Sequence, residues 1–328
     1  MGSEPASGIL ISVIIPTTRR PVLVQRALRS VLCQTYRNLE VIVVVDGPNP
    51  ETVSTLATVT DKRLKVIQVD APSGAGAARN RGAAVASGEW FAFLDDDDEW
   101  LPEKLERQLA AANSPGGWSL ISCRCRVCTP EGIYNWPRKI YDSSIPVDEY
   151  LFDRRTLFRG DTTFATASIF VSRKMFEQTG FGTTRQNEDT MLLLRVTKEA
   201  GGKALMLQDT LVVLYQEEEG DRESLGSSYS WREMLKWLDE AGHLITKRAY
   251  SGFCLIYLGS QAARLHEYRA FFTLLMRSFT RGRPRLMHVV TFLLFWIIPI
   301  GARRRARAWV SSIGQAPSPR GPELSARG

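Results

Sequence analysis

The first 112 residues alternate short apolar strands with helical segments, and this alternation constrains the fold more than any other feature. Strands are predicted at 11–15, 39–45, 64–69 and 90–94, and they consist mainly of β-branched and aromatic residues without polar alternation. Helical spacing fills the intervals between them. Strands that carry apolar side chains on both faces must be covered on both faces. The pattern therefore predicts a parallel α/β sheet with helices on either side.

The second half of the chain is less regular. Further strands are predicted at 120–127 and 166–171, with one or two more within 204–215. Helical spacing returns at 187–200, and two helices are predicted over 230–280. We therefore expect a helical region after the last strand.

The net charge of +7 is concentrated in one part of the chain. Residues 281–328 contain nine Arg and one acid, Glu323, so this tail has a balance of +8 and residues 1–280 are near neutral at −1. A basic chain can bind nucleic acid or an anionic membrane. Because the remainder is near neutral, we expect no nucleic-acid partner.

An apolar segment, 286–302, lies inside this basic tail. Seventeen helical residues span roughly 25 Å, which is less than the roughly 30 Å hydrocarbon core of a bilayer. Pro299 shortens the regular part further. A helix lying in one leaflet fits best, whereas a short transmembrane span and a buried core helix stay open as alternatives. Contact with a membrane surface is therefore expected through 281–308, helped by arginines that attract anionic lipid.

Cysteine usage and the N-terminus indicate the compartment. Five cysteines are few and odd in number for a disulfide scaffold, which favours a reducing interior. The first residues contain no apolar segment typical of a signal peptide. These features predict a cytoplasmic protein that is peripheral on the inner face of the cell membrane, with a single short span as the alternative.

Four consecutive acids, Asp95 to Asp98, follow the fourth predicted strand directly. Ligands of parallel α/β sheets bind beyond the carboxyl ends of the strands. Hard carboxylate oxygens suit Mg²⁺ or Mn²⁺, which would link them to a diphosphate. A solvated acidic turn before a helix explains the run equally well when it is taken alone.

Three further motifs carry groups suited to an anionic ligand or to proton transfer. Asp46 ends the second strand, where it could accept a hydrogen bond from a nucleobase, although Asp-Gly is also common in plain turns. A glycine-rich helix start precedes Arg79, which could face an anion. Glu188 and Asp189 open a later helix, where acids serve as caps or as a general base.

In combination these motifs resemble the N-terminal half of the family 2 inverting glycosyltransferases, which have the GT-A fold. Five segments match in the family's order, and Glu188-Asp189 resembles a later acidic motif; the segments are VIIPTTR (13–19), SVLCQTY (30–36), EVIVVVDG (40–47), AARNRG (77–82) and FLDDDDEWLP (93–102). The resemblance covers about 12–200. It implies a GT-A type α/β fold, with a mostly parallel sheet, flanking helices and a C-terminal helical region.

The resemblance also implies roles for individual residues. Asp189 would be the catalytic base with Glu188 beside it, and Asp97 would hold the metal. Val45 stands where many members have an additional aspartate before Asp46. The donor nucleotide would be bound by seven residues: Pro16, Thr17, Arg19, Asp46, Arg79, Asp95 and Asp96.

The implied reaction is an in-line displacement at the anomeric carbon. It needs a base for the acceptor hydroxyl on one face and stabilisation of the leaving diphosphate on the other, where Mg²⁺ or Mn²⁺ would act as a Lewis acid. We expect non-processive transfer of one sugar, with UDP as the preferred nucleotide. The expected acceptor is a hydroxyl of a glycan or lipid-linked molecule in the assembly of a surface polysaccharide or lipopolysaccharide.

This interpretation divides the chain into four parts. A GT-A catalytic domain is expected over 9–216, a flexible loop and C-terminal helices over 217–280, the membrane-associating segment over 281–308, and a disordered tail over 309–328. Two alternatives remain. A sugar-nucleotide pyrophosphorylase should carry its glycine-rich loop after the first strand, where Pro16-Thr17 stands here. A non-catalytic membrane-surface binding protein would not need the acidic motifs.

Overall fold

A parallel sheet forms from four strands, β1 (Ile11–Thr17), β2 (Leu39–Asp46), β3 (Leu64–Val69) and β4 (Trp90–Phe93), in the spatial order β3-β2-β1-β4. All residues of β1 and β2 are buried, in agreement with their continuous apolar sequence. The carboxyl ends of the four strands lie at one edge. The computed structural model describes residues 8–130, 132–154, 162–182, 187–216, 230–298 and 301–302.

The sheet continues beyond β4 with mixed strand directions. Two long strands, β6 (Trp118–Thr129) and β9 (Lys203–Tyr215), pair in parallel with each other. The short β8 (Phe170–Ser172) joins β4 to β6 in antiparallel pairing. Two edge pairings complete the described sheet, β5 (Glu99–Trp100) with β9 and β7 (Gly132–Trp136) with β6.

Helices cover both faces of the parallel part, because successive strand residues point to opposite sides. Ile14 and Val44 pack with α3 (Ala75–Ala84) on one face, and Val13 and Val43 pack on the other face with three helices. These are α1 (Pro21–Leu32), α2 (Pro50–Ala57) and α4 (Lys104–Ala112). At Gly82 the contact is so close that an added Cβ would lie 2.6 Å from Ile14 Cγ2.

Three helices lie between β7 and β9: α5 (Val147–Phe152), α6 (Arg173–Thr179) and α7 (Glu188–Leu194). The last continues as a π-helix over Arg195–Glu199. Its leucines, including the fully buried Leu192 and Leu193, pack into the core. This packing fixes the start of α7, which carries Glu188 and Asp189.

The C-terminal region contains three helical segments before residue 281, whereas two were predicted. They are α8 (Trp231–Glu240), a continuous helix made of α9 (Lys247–Gly252), a π-helical stretch (Phe253–Leu258) and α10 (Gly259–Arg264), and α11 (Tyr268–Thr280). Thr246 caps the second segment, and His266 has a positive φ of 55° at the break before the third. The caps and this break divide what sequence spacing alone predicts as two helices.

Helix α12 (Leu286–Ile297) packs one face on the preceding helices. Phe292 is fully buried, and Gly259 allows its ring to approach, since an added Cβ there would lie 2.5 Å from Phe292 Cδ2. The Arg285 Nε lies 2.7 Å from Asp153 Oδ1, and His288 Nε2 lies 3.2 Å from the same oxygen. Within the described ranges, no helix has the length and apolar character needed to cross a membrane.

The expected architecture of an α/β sheet with flanking helices, followed by a C-terminal helical region, is therefore confirmed. The sheet is parallel through its first four strands and mixed beyond them. The proposed boundaries at 216, 280 and 308 stay predictions. The predicted flexible loop that begins at 217 and the predicted tail at 309–328 lie outside the described residues.

Candidate active site

The four aspartates after β4 alternate between inward and outward directions. Asp96 and Asp98 are buried, whereas the side chains of Asp95 and Asp97 are 33% and 24% exposed. The run forms a turn after β4, in which the Asp98 N–H donates to the Asp95 carbonyl at 3.2 Å. Asp98 Oδ1 accepts a hydrogen bond from the backbone N–H of Tyr215 at 3.3 Å, which joins the turn to the end of β9. Asp95 and Asp97 are therefore the two carboxylates of the run that face the open edge.

Asp96 connects this acidic turn to the end of β1. Its carboxylate accepts a hydrogen bond from Thr17 Oγ1 at 2.7 Å and another from Arg20 at 3.1 Å. Burial raises its pKa to about 6, although Thr17 and Arg20 oppose that shift. Two of the residues expected at the donor, Thr17 and Asp96, are thus in direct contact, and Asp96 points inward to hold the turn.

Two arginines of the first helical segment also hold the turn, and sequence reasoning did not identify either of them. Arg20 lies 3.2 Å from Asp97 Oδ2, and Arg26 donates to the backbone carbonyl of Asp97 at 2.5 Å. Arg26 also lies over the ring of Tyr215, 4.1 Å from its centroid. Arg19, which was expected at the nucleotide, is exposed with a positive φ of 49°. Nothing in the segment's composition distinguishes Arg19 from Arg20 as the partner of the aspartates.

Asp46 holds the loop that leads into α3. Both carboxylate oxygens accept hydrogen bonds there, from the Ser73 N–H at 2.9 Å and 3.0 Å and from the Gly74 N–H at 2.8 Å. Pro16, at the end of β1, is buried and lies opposite Val44. Asp46 and Pro16 therefore lie at the same edge as the aspartates, on neighbouring strands.

Arg79 links the acidic turn to the start of α7. The residue is 5% exposed, and its guanidinium forms ion pairs with Asp95 and, at 3.1 Å, with Glu188 Oε2. The ring of Phe181 lies 5.2 Å from the Arg79 Cζ. A buried guanidinium between two carboxylates offsets part of the free-energy cost of removing these charges from water. Asp95 and Glu188 lie 16 and 109 positions from Arg79 in the sequence, and the ion pairs bring the three residues together.

Gly76 allows the Glu188 carboxylate to reach the start of α3. An added Cβ at Gly76 would lie 2.6 Å from Glu188 Cδ, which no side chain could tolerate without movement. The Gly76 backbone also hydrogen bonds this carboxylate, and burial raises the pKa of Glu188 despite these partners. The approach is favourable because the N-terminus of a helix attracts negative charge. Glu188 is therefore fixed by Arg79 and Gly76.

Asp189 is held differently. Within the described part of the chain it hydrogen bonds only its neighbour Thr190, whose N–H donates to Oδ1 at 2.7 Å. Burial raises the pKa of its carboxyl above the ordinary value, and Arg79 is close enough to oppose this shift. Of the two adjacent acids, Asp189 is the one whose carboxylate has no ion-pair partner in the described ranges.

In the C-terminal helices, Tyr257 lies close enough to Asp189 for the charge of that acid to act on its hydroxyl. This residue is 49% exposed, and its ring stacks on Phe253 with a centroid separation of 5.0 Å. Burial raises the pKa of the Tyr257 hydroxyl, and the charge of Asp189 adds to the rise. Tyr257 was not predicted, because the helical spacing around it reads as a core helix.

No three or more His, Cys, Asp or Glu side chains converge as a ready-made metal cage, as far as the described residues extend. Mg²⁺ does not need such a cage, since it is often bound through one or two carboxylates together with substrate phosphates. Asp95 and Asp97 provide two partly exposed carboxylates in the turn. The donor set therefore fits a divalent cation that binds together with a diphosphate.

Comparison with known proteins gives consistent matches. A family model described as Glycosyl transferase family 2 matches residues 12–180, more than half of the chain. The putative colanic acid biosynthesis glycosyl transferase WcaA of Escherichia coli is 36% identical over 165 residues, which cover 49% of this chain and 58% of WcaA. The UDP-Glc:alpha-D-GlcNAc-diphosphoundecaprenol beta-1,3-glucosyltransferase WfgD of Escherichia coli is 37% identical over 31% of this chain and 40% of WfgD. The chain thus spans less than two thirds of these two relatives.

Two matches extend over most of the chain. The GalNAc(5)-diNAcBac-PP-undecaprenol beta-1,3-glucosyltransferase of Campylobacter jejuni is 26% identical over 82% of this chain and 87% of its own length. The crystal structure of Staphylococcus aureus TarS 1-349 with UDP-GlcNAc superimposes with a TM-score of 0.59 over 92% of both chains, at 16% identity. The second match supports the fold alone. Taken with the family model, these findings favour a transferase over the two alternatives considered from sequence, and the chain belongs to glycosyl transferase family 2.

Proposed function

We propose that this glycosyltransferase moves one sugar from a nucleoside diphosphate sugar, UDP-linked, to a hydroxyl of a glycan or lipid-linked acceptor with inversion at the anomeric carbon. The observation that carries the proposal is the unequal setting of the two adjacent acids. Glu188 is held by Arg79 and Gly76, while the Asp189 carboxylate forms no ion pair with any residue that the structure describes. One acid is thus available as a base at the edge where donors bind in such sheets.

In this proposal Asp189 accepts the proton of the acceptor hydroxyl as the oxygen attacks the anomeric carbon. Burial, which raises the pKa of Asp189, makes its carboxylate a stronger base than an exposed aspartate. Arg79 orients Glu188 and Asp95 without titrating, because guanidinium stays protonated throughout the accessible pH range. No enzyme nucleophile is required.

The donor nucleotide is proposed to lie across the carboxyl ends of β1, β2 and β4. Asp46 would accept from the base, with Pro16 and Thr17 forming the adjoining wall. Asp95 would face the ribose, with Arg19 and Arg79 supplying positive charge nearby. Asp96 would contribute by fixing the turn through its bonds to Thr17 and Arg20.

Mg²⁺ or Mn²⁺ is the proposed cofactor, with Asp97 as its main protein ligand and Asp95 beside it. The cation would supply charge neutralisation for the departing diphosphate. Arg20 and Arg26 would keep Asp97 in place when no donor is bound, through the contacts at 3.2 Å and 2.5 Å.

The acceptor class is proposed from the relatives and from the C-terminus. WfgD and the Campylobacter jejuni protein are named for sugars on diphosphate-linked undecaprenol. A lipid-linked acceptor places the enzyme at a membrane surface, and we propose that 281–308 contacts the cytoplasmic face of the cell membrane. The exposed ring of Tyr257, near Asp189, is suited to stack against an acceptor sugar.

A donor screen followed by product analysis tests the proposal. Ligand binding raises apparent stability, so a thermal shift with UDP-, GDP- and dTDP-sugars identifies the nucleotide. We expect a UDP-sugar to give the largest shift in the presence of Mn²⁺ or Mg²⁺, and EDTA to remove it. Product formed on an undecaprenyl-diphosphate acceptor should have the anomeric configuration opposite to that of the donor. Retained configuration would contradict the inverting mechanism, and a shift only with another nucleotide would contradict UDP.

A further inference from the structure

Eight large apolar side chains are exposed on α11 and α12. On each helix they recur every three or four residues, so each set forms one row along the helix. Their exposures range from 37% to 80%. We call these eight residues the apolar face: Tyr268, Phe272, Met276 and Phe279 on α11, and Leu286, Val290, Leu293 and Ile297 on α12.

Both rows point away from the core. The buried residues of α11, such as Leu274, and those of α12, such as Phe292, lie on the opposite sides of their helices. The two helices pack antiparallel: the ring centroids of Phe271 and Phe292 lie 5.0 Å apart, and those of Tyr268, at the start of α11, and Trp296, at the end of α12, lie 5.8 Å apart. Because both rest on the continuous helix formed by α9 and α10, the two rows share one side of the molecule.

Helices α11 and α12 and the connection between them carry only positive charge. Residues 268–297 contain five Arg and no Asp or Glu. Arg277 and Arg281 pair with Asp239, whereas Arg269 and Arg283 are exposed and form no ion pair within the described ranges. Four more Arg follow at 303–307. Arg269 and Arg283 therefore add positive charge beside the apolar face that no acid among the described residues neutralises.

We infer that the apolar face docks the protein on an anionic lipid bilayer, with α11 and α12 lying along the interface. Monomeric soluble proteins rarely expose large contiguous apolar patches, and a helix with apolar and cationic sides is typical of interfacial binding. Anionic lipid complements the arginines. This docking face extends the proposed membrane contact to α11, which lies outside 281–308. It rests on the proposed function in one respect only, because docking would serve to reach a lipid-linked acceptor.

The docking face is firmly attached to the catalytic domain. Asp153, which follows α5, receives Arg285 at 2.7 Å and 3.0 Å through its two oxygens, and Phe292 packs against Gly259. Tyr257, in the same helical layer, lies near Asp189. A bilayer bound at the apolar face would therefore hold the active site at a fixed height and orientation above the membrane.

Vesicle co-sedimentation of the full chain tests the inference. The test variant combines Phe272→Ser and Met276→Ser, which are 72% and 66% exposed and belong to α11. The matched control is Ile133→Ser, which is 66% exposed on β7. We expect the wild type and the control to bind phosphatidylcholine vesicles containing phosphatidylglycerol, and to bind less as NaCl is raised.

The double variant should show a partition coefficient lower by on the order of tenfold or more, since burying one large apolar side chain is worth at least that factor. An unchanged melting temperature shows that the variant is folded. Binding equal to that of the wild type would overturn the inference. A second result would also overturn the inference: the wild type does not bind vesicles but forms a dimer, and the double variant is a monomer. The apolar face would then bind a second copy of the chain.

Failure of the proposed function is a separate outcome. UDP-sugar binding and transfer to a detergent-dispersed acceptor do not require a bilayer. If these are absent while vesicle binding behaves as expected, the proposed reaction is wrong and the docking face stands. If both variants transfer sugar normally in detergent and bind vesicles equally, only the docking inference is wrong.

Discussion

Replacement of Arg79 by Gln tests the buried ion-pair network on which the site depends. The guanidinium is 6% exposed and contacts Glu188, which is 14% exposed, and Asp95, which is 33% exposed. Loss of one partner from a buried pair costs about 3–5 kcal/mol, because a charge is left uncompensated. Water can still reach Asp95, so its share of this cost is reduced by solvent screening. We expect a loss of about 3 kcal/mol in the free energy of unfolding.

The pH dependence of this loss has a definite sign. Burial already raises the pKa of Glu188 and Arg79 opposes the rise, so the pKa of Glu188 rises further in Arg79→Gln. A carboxyl whose folded pKa exceeds its unfolded value favours the folded state at low pH and disfavours it as the pH rises through that interval. The destabilisation should therefore be smaller near pH 5 than near pH 8.

Urea unfolding at both pH values measures these effects, with Arg81→Gln as the control. Arg81 lies on the same helix, is exposed, and makes one hydrogen bond to Ser73 Oγ at 2.9 Å. Its loss should change the unfolding free energy by less than about 0.5 kcal/mol. If Arg79→Gln is as mild as this control, or if its effect grows at acid pH, the network does not stabilise the fold as argued.

Three further predictions follow from the same contacts. The transfer rate should fall as the pH is lowered, because Asp189 must be ionised and burial raises its pKa; a rate that is flat down to about pH 4 would contradict this. Gly76→Ala should lower the free energy of unfolding by about 1–3 kcal/mol in urea titrations, because its Cβ would meet the Glu188 carboxylate. Asp46→Ala should cost about 1–3 kcal/mol by leaving backbone N–H groups unpaired, and should weaken donor binding measured by calorimetry.

The parallel strands could be predicted closely from sequence because their residues leave little choice. The run at 41–45 in β2, which is β-branched, apolar on both faces and followed by Asp46, is typical of a buried strand. The segment at 166–171 was harder to predict, because it begins as a short 3-10 helix and β8 starts only at Phe170. The three C-terminal segments depend on capping at Thr246 and on packing at Gly259, which spacing alone does not encode.

The position of the site could be predicted from sequence, but the orientation and contacts of its side chains could not. The acidic run and the pair Glu188-Asp189 identify the region, yet the run does not say which aspartates face outward. The difference between Glu188 and Asp189 arises from Arg79 and Gly76, more than a hundred residues earlier. The contacts of Arg20 with the acidic turn could not be predicted either, because they join residues that are 76 and 77 positions apart in the sequence.

The central claim is that Asp189 is the base of a sugar transfer. The direct measurement compares wild type and Asp189→Asn in both transfer rate and donor affinity, with Asp209→Asn, an exposed carboxylate on β9, as control. Loss of a general base typically lowers a rate by about 10²–10⁴-fold. We predict a fall in that range for Asp189→Asn with donor affinity unchanged, and no change for the control. A transfer rate of Asp189→Asn within about twofold of the wild-type rate would contradict the claim, because loss of a general base should lower the rate far more.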